Sequence, residues 1–183
     1  MTDILSNVAS CAAPAVFTGT AGATADAMLS AVTQLLPELE AGQAVTTARL
    51  RTAMTDAFGA SDAEGAWDWK TAYDVCEAAQ ILFLRRFGPA MLARGERRAL
   101  ALIERIAALL PTHTRRSEAG QALQQFSTPA SLSYVAAVAA SIGAGETLLE
   151  PSAGTGMLAI HAELAGAQLV LNELADTRAE LLA

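Results

Sequence analysis

"LLEPSAGTGMLAIHAELAGAQLVLNE", residues 148–173, decides the fold of this chain. One apolar run ends at Glu150-Pro151, and a second ends at Glu173. Between them lie two closely spaced glycines, Gly154 and Gly156, and then a helix-like segment. Short apolar runs bounded by Gly and Pro are typical of buried strands. The stretch therefore predicts a strand over ETLLE, a glycine loop, a helix and a second buried strand over QLVLNE.

The neighbouring segments extend this alternation. The helix after the loop is predicted from about Thr155 to Ala165, with Gly166 ending it. Thr128 is a natural helix cap before Pro129, which predicts a helix over residues 129–142, and residues 175–183 begin another helix. Alternating strands and helices indicate a parallel, Rossmann-like sheet, whose ligands bind at the carboxyl ends of the strands.

The first 110 residues have a different pattern, in which apolar residues recur at helical spacing. Pro37 should bend or split the first of these helices, and the Gly88-Pro89 pair should end the third. The predicted helices cover residues 24–41, 46–58, part of 61–89, and 96–110. We therefore expect a mainly α region over 1–110, a polar linker over 111–120, and the first β-α-β-α part of an α/β domain over 121–183.

Three ligand chemistries use a strand, a glycine loop and a helix. A P-loop is excluded, because Met157 follows Gly156 and no lysine occurs after Lys70. A dinucleotide site stays open, since Gly154, Gly156 and Ala159 satisfy G-x-G-x-x-A ahead of Glu173. S-adenosylmethionine (SAM) also uses an acid at the first strand end.

In a SAM site, Glu150 would meet the ammonium group and Glu173 would accept from the ribose hydroxyls. The motif EPSAGTG (150–156) resembles the cofactor motif of class I SAM-dependent methyltransferases of the DNA adenine amino type. QQFSTP (124–129) resembles the additional cofactor motif upstream of it, and NELADTRAELL (172–182) resembles the segment with the ribose acid. Together with residues 62–80, these motifs resemble the N-terminal part of strawberry-notch-like proteins, which join a methyltransferase-like domain to a helicase.

The resemblance implies SAM as the cofactor and a DNA adenine amino group as the target. The cofactor-binding residues that it implies are Phe126, Ser127, Thr128, Pro129, Glu150, Pro151, Ser152, Ala153, Gly154, Thr155, Gly156, Asn172 and Glu173. Simpler roles stay open. Capping a helix could be the sole role of Ser127 and Thr128, and Glu173 could be an ordinary polar residue at the end of a strand. His161, on the helix after the loop, is interpreted as a packing or surface residue.

The catalytic motif of that family, Asn or Asp followed by Pro-Pro and an aromatic, has no counterpart, because the sequence contains no Pro-Pro pair. We therefore assign no catalytic residue. We expect the chain to be the N-terminal part of a longer methylase/helicase protein and to be inactive alone. The alternatives are an NAD(P)-dependent oxidoreductase fragment that uses the G-x-G-x-x-A loop, and a helical module that binds DNA or protein.

Charge is unevenly distributed along the chain, whose net charge is −7. Residues 85–116 carry eight arginines and two glutamates, from Arg85 to Arg116. This belt could bind DNA phosphates or a fused helicase, or it could pair with the protein's own acids.

Trp67, Trp69 and Tyr73 are interpreted as core residues. With two widely spaced cysteines and no long apolar run, we expect a cytoplasmic protein without metal or membrane partners.

Overall fold

The computed structural model describes residues 19–112 and 127–182. In chain order its elements are helices α1 (Gly19–Glu40), α2 (Thr47–Phe58), α3 (Trp69–Leu92), α4 (Glu96–Ala107) and α5 (Ala130–Ala139), strand β1 (Thr147–Glu150), helix α6 (Ala159–Leu164), strand β2 (Gln168–Leu171) and helix α7 (Asp176–Leu181). A short 3-10 turn, Asp62–Glu64, precedes α3. The chain is thus mainly helical, with a small parallel sheet.

Local signals set the ends of α2. The Thr46 side chain accepts a hydrogen bond from the backbone N–H of Arg49, and Gly59 ends the helix in the left-handed conformation at φ 75°. Such a cap satisfies a donor that has no partner inside the helix, and glycine adopts positive φ without a steric cost. The predicted helix over residues 46–58 is confirmed within one residue.

Helix α1 continues through Pro37, so Pro37 does not split it. Helix α3 runs through Gly88-Pro89 to Leu92, so the predicted end at this pair is wrong. Both prolines are exposed, so the carbonyl groups that they leave without an intrahelical donor can face water. Gly88 is buried instead: a Cβ there would lie 2.5 Å from Leu164 Cδ1. The glycine therefore serves the close packing of α3 on α6, not the end of a helix.

The sheet has two parallel strands, with Thr147 paired to Gln168 and Glu150 paired to Leu171. Side chains alternate along both strands between exposed and half-buried. Leu149 is 66% exposed and Val170 is 52% exposed. The prediction of fully buried strands is therefore wrong, because the described elements cover one face of this sheet and leave the other to solvent.

The helical region and the α/β segment share one hydrophobic core. Leu35 of α1, Leu84 of α3 and Ile103 of α4 belong to the same cluster as Tyr134 of α5 and Ile160 of α6. Helix α1 contacts α7, α3 contacts α6, and α4 contacts α5. The long helices therefore support the glycine loop from beneath and place α3 side chains beside it.

Candidate functional site

Backbone hydrogen bonds hold the loop after β1 across the end of β2. Asn172 N–H donates to the Glu150 carbonyl at 2.9 Å, and Ala153 N–H donates to the Asn172 carbonyl at 2.8 Å. The Asn172 side-chain amide donates to the Pro151 carbonyl at 2.9 Å. The carboxyl ends of both strands and the start of the loop therefore form one continuous surface, as expected for a parallel sheet.

The two loop glycines have left-handed backbones, with φ 60° at Gly154 and φ 100° at Gly156. Residues with a Cβ rarely adopt such angles. The Gly156 N–H bonds to the Ala153 carbonyl at 2.9 Å, so a turn forms before any helix. Helix α6 therefore begins at Ala159, four residues later than the predicted start at Thr155.

Glu173 closes the loop. Gly154 N–H donates to Glu173 Oε2 at 2.7 Å, and Ala175 N–H donates to Oε1 at 2.9 Å. A carboxylate has about four acceptor positions, so each oxygen keeps one lone pair for a further donor. This contact places Glu173, the acid predicted to bind a ribose, directly at the glycine loop.

Glu150 lies apart from this contact. Its Oε1 accepts a hydrogen bond from Ser152 N–H at 3.3 Å, within its own turn. The side chain is half-buried at the end of β1 and does not line the cleft described next.

A small cleft opens between the loop, helix α3 and the segment before α5. It has about 40 Å³ of free volume, which is room for about three water molecules. The predicted residues that line it are Ser127, Thr128, Ser152, Ala153, Gly154 and Thr155. Glu77, Met157, Leu158 and Arg178 also line it and were not predicted.

Several predicted residues lie elsewhere. Four predicted residues lie in or beside the loop and do not line the cleft, namely Pro151, Gly156, Asn172 and Glu173. Phe126 lies outside the described residues. Helix α5 begins at Ala130 after Pro129, without a side-chain cap. Thr128 therefore does not cap this helix as the sequence suggested, and its side chain is left to the cleft.

Glu77 is the acid that meets the loop from the helical region. Thr155 Oγ1 donates to Glu77 Oε2 at 2.8 Å, and the Ser127 side chain also bonds to this carboxylate. Burial raises the pKa of Glu77, as does nearby Asp74, while the two hydroxyl groups and Arg178 oppose that rise. Sequence reasoning missed Glu77, although a carboxylate within the apolar run of α3 was a usable signal.

Arg178 lies under the loop and joins α7 to α3. Its Nη2 is 2.6 Å from Asp74 Oδ1 and its Nε is 3.1 Å from Oδ2, and Lys70 Nζ approaches the same Oδ2 at 3.0 Å. The Arg178 and Asp74 side chains are 6% and 8% exposed. A Cβ added to Gly154 would lie 3.9 Å from Arg178 Nη1. The guanidinium is thus committed to Asp74 while it supports the glycine loop.

His161 is a buried packing residue, which confirms that interpretation. Its Nε2 lies 3.1 Å from Ser133 Oγ, and the Ser133 hydroxyl donates to the Ala130 carbonyl at 2.8 Å. Nε2 therefore carries the proton and donates to Ser133 in the neutral ring. Burial lowers the pKa of His161 to about 4, so the imidazole is uncharged at neutral pH.

The arginine belt divides into paired and unpaired members. Arg85 makes two 2.8 Å hydrogen bonds to Glu163, and Arg86 pairs with Glu40. The exposed arginines without an ion pair to any described residue are Arg94, Arg97, Arg98 and Arg105. Arg115 and Arg116 lie outside the described residues. Part of the belt therefore pairs with acids of the protein, and part faces solvent.

The aromatic residues before and within α3 belong to the core. Trp67 is 5% exposed and its indole N–H donates to the Ala60 carbonyl. Trp69 packs between Trp67 and Tyr73, with ring centroids 5.6 Å and 6.0 Å away. The three rings pack against one another, and the interpretation of these residues as core residues is confirmed.

Comparisons with protein-family models, with curated proteins and with solved structures found no match to this chain. Within residues 19–112 and 127–182, no cluster of His, Cys, Asp or Glu could hold a metal ion. No helix in the same part of the chain has the length and hydropathy needed to cross a membrane.

Proposed function

We propose that this chain is the SAM-binding part of a DNA adenine amino methyltransferase, with a Rossmann-like arrangement around the glycine loop. The observation that carries the proposal is the 2.7 Å hydrogen bond between Gly154 N–H and Glu173 Oε2. It joins the loop after one parallel strand to an acid after the next. A carboxylate held in this position has lone pairs available for the two hydroxyl groups of a ribose.

Charge favours SAM over a dinucleotide. The cleft beside the loop contains the Glu77 carboxylate, and its cation, Arg178, is already paired with Asp74. A pyrophosphate would meet the negative charge of Glu77 there, whereas SAM carries a positive charge. Helix α6 also begins three residues after Gly156, so its N-terminus is displaced from the loop that a pyrophosphate would occupy.

The DNA target and the fused helicase rest on the motif resemblance. The sequence has no Asn-Pro-Pro-aromatic motif or related Pro-Pro pair to act on a flipped base. In this proposal the chain binds the methyl donor, the adenine amino group of DNA receives the methyl group, and the side chains that hold the flipped base belong to other parts of a larger protein. We infer that the chain alone transfers no methyl group.

Isothermal titration of the chain with SAM and, separately, with NAD⁺ tests the proposal. We expect saturable binding of SAM and none of NAD⁺, and Glu173→Gln should weaken SAM binding about tenfold or more. Glu104→Gln removes the same charge from the exposed face of α4 and is the matched control. Preferred binding of NAD⁺ would support the oxidoreductase alternative, and equal affinity of the Glu173 variant would refute the ribose role.

A second function, DNA binding by the helical region, is favoured by the unpaired arginines. Arg94, Arg97, Arg98 and Arg105 are exposed and have no ion pair with any described residue. Phosphate contacts release counterions, so their affinity falls steeply with salt. Fluorescence anisotropy with a labelled duplex should show binding that weakens with added salt.

The double variant Arg97→Gln/Arg98→Gln should reduce the salt dependence of this binding by about one to two units of slope. Arg51→Gln is the control, because Arg51 is exposed but lies on α2 and pairs with Asp62. Duplex binding that is insensitive to salt, or equal for both variants, would contradict an arginine surface for DNA.

A further inference from the structure

Glu77 is an acid of the helical region that lines the cleft of the glycine loop. It lies 78 residues before Thr155, the loop residue whose hydroxyl group donates a hydrogen bond to it. It projects from α3, the longest helix of the described chain, which packs against the core on its other sides. The position of this carboxylate is therefore fixed by a rigid element, as binding groups require.

The packing of Glu77 is unfavourable for the protein alone. The side chain is half-buried and burial raises the pKa of its carboxyl group, because a carboxylate withdrawn from water is costly unless a cation compensates it. Glu77 has no ion pair with any residue in 19–112 or 127–182. Arg178, the nearby cation, instead donates from Nε and Nη2 to Asp74. A cationic ligand group would supply the missing compensation.

The cleft matches a small cation with several N–H donors. Thr155 and Ser127 donate their hydroxyl protons to Glu77 and keep their own lone pairs. Their two hydroxyl oxygens and the carboxylate are acceptors for the three N–H bonds of a primary ammonium group. The free volume of about 40 Å³ suits such a group and is far below the several hundred Å³ of a pocket for a whole nucleoside.

We propose that Glu77, with Ser127 and Thr155, binds the ammonium group at the methionine end of SAM, so that the helical region completes the cofactor site. This inference rests on the proposed function. It reassigns the role that the sequence suggested for Glu150, whose carboxylate bonds within its own turn and does not line the cleft. Glu173, on the other side of Gly154, keeps the ribose role.

Titration calorimetry with three adenosine compounds tests the assignment on the whole chain. SAM and S-adenosylhomocysteine both carry the ammonium group, whereas 5′-methylthioadenosine has the same nucleoside without it. Glu77→Gln should weaken binding of the first two by about tenfold or more and leave 5′-methylthioadenosine unchanged. Glu173→Gln should weaken all three compounds.

Folding is measured on the same samples, because Glu77→Gln could act through stability. Removal of a half-buried charge that has no ion pair should leave the melting temperature unchanged or higher. Ser127→Ala is a second variant at an exposed position, and it should weaken SAM and S-adenosylhomocysteine about threefold or more. Glu104→Gln, on the exposed face of α4, should change none of the affinities.

The outcomes separate the two proposals. If the unaltered chain binds SAM and Glu77→Gln binds it equally well, the ammonium assignment is wrong and the proposed function stands. Equal loss for SAM and 5′-methylthioadenosine in Glu77→Gln would also overturn the assignment, because Glu77 would then only shape the loop. If the unaltered chain binds none of the three compounds, the proposed function itself is wrong.

Discussion

The ion pair between Arg178 and Asp74 should be the strongest polar link between the helical region and the α/β segment. We consider Arg178→Met, which keeps an unbranched apolar stem and removes the charge. The Asp74 carboxylate, 8% exposed, would lose two hydrogen bonds and remain buried. Breaking a buried pair in this way costs about 3–5 kcal/mol. Lys70 stays 3.0 Å from Asp74 and offsets part of the loss, so we expect about 3 kcal/mol.

Urea denaturation followed by circular dichroism measures this loss. Arg85→Met is the matched control, since its pair with Glu163 is about half exposed on the arginine side, at 53%, and should contribute only about 0–1 kcal/mol. The double variant Asp74→Asn/Arg178→Met should recover much of the lost stability, because the buried Asp74 carboxylate that lost Arg178 is then itself removed. If Arg178→Met costs no more than Arg85→Met, the proposed link between the two parts of the chain is refuted.

Three further predictions concern buried groups and backbone strain. The pKa of His161 is lowered from 6.5 to about 4, so the unfolded chain binds a proton at a higher pH than the folded protein does. The free energy of unfolding should therefore fall by about 2 kcal/mol between pH 7 and pH 5. Urea titrations of His161→Asn should not show this component of the pH dependence. Gly156→Ala forces a Cβ onto a backbone with φ 100° and should cost about 1–2 kcal/mol, while Gly22→Ala, with nothing within 4 Å, should stabilise α1 by up to about 1 kcal/mol; equal melting temperatures for the two variants would contradict this. Cys76 is a buried thiol whose pKa is raised to about 12, so it should react with Ellman's reagent only after unfolding.

Features of the fold that depend on neighbouring residues could be predicted from the sequence. Thr46 and Gly59 bound α2 because capping needs only a side-chain oxygen and a permissive backbone within one turn. Gly88 misled the same reasoning, since its role depends on Leu164, which lies far along the chain. A glycine at a helix end and a glycine under a crossing helix look alike until the partner helix is known.

The residues of the candidate site also differ in whether the sequence could predict their contacts. Gly154 and Glu173 could be paired from the sequence because parallel strands bring their carboxyl ends to one edge. Glu77 could be singled out as a carboxylate within an apolar run, but its place beside Thr155 could not be predicted, because it depends on how α3 packs against the loop. Arg178 was likewise hidden, since its partner Asp74 is 104 residues away. Contacts between distant helices leave no local spacing that a sequence pattern can show.

The central claim, that the glycine loop binds SAM, is tested most directly by two-dimensional ¹H–¹⁵N NMR of the chain titrated with SAM. Ligand at the loop should shift the amide signals of Gly154 and Ala175, which donate to Glu173. The amide of Gly59, a left-handed glycine at the end of α2, serves as the internal control and should not move. Saturable shifts at the loop and at the residues that line its cleft are the predicted result. Absence of shifts at Gly154 and Ala175 at saturating SAM would contradict the account.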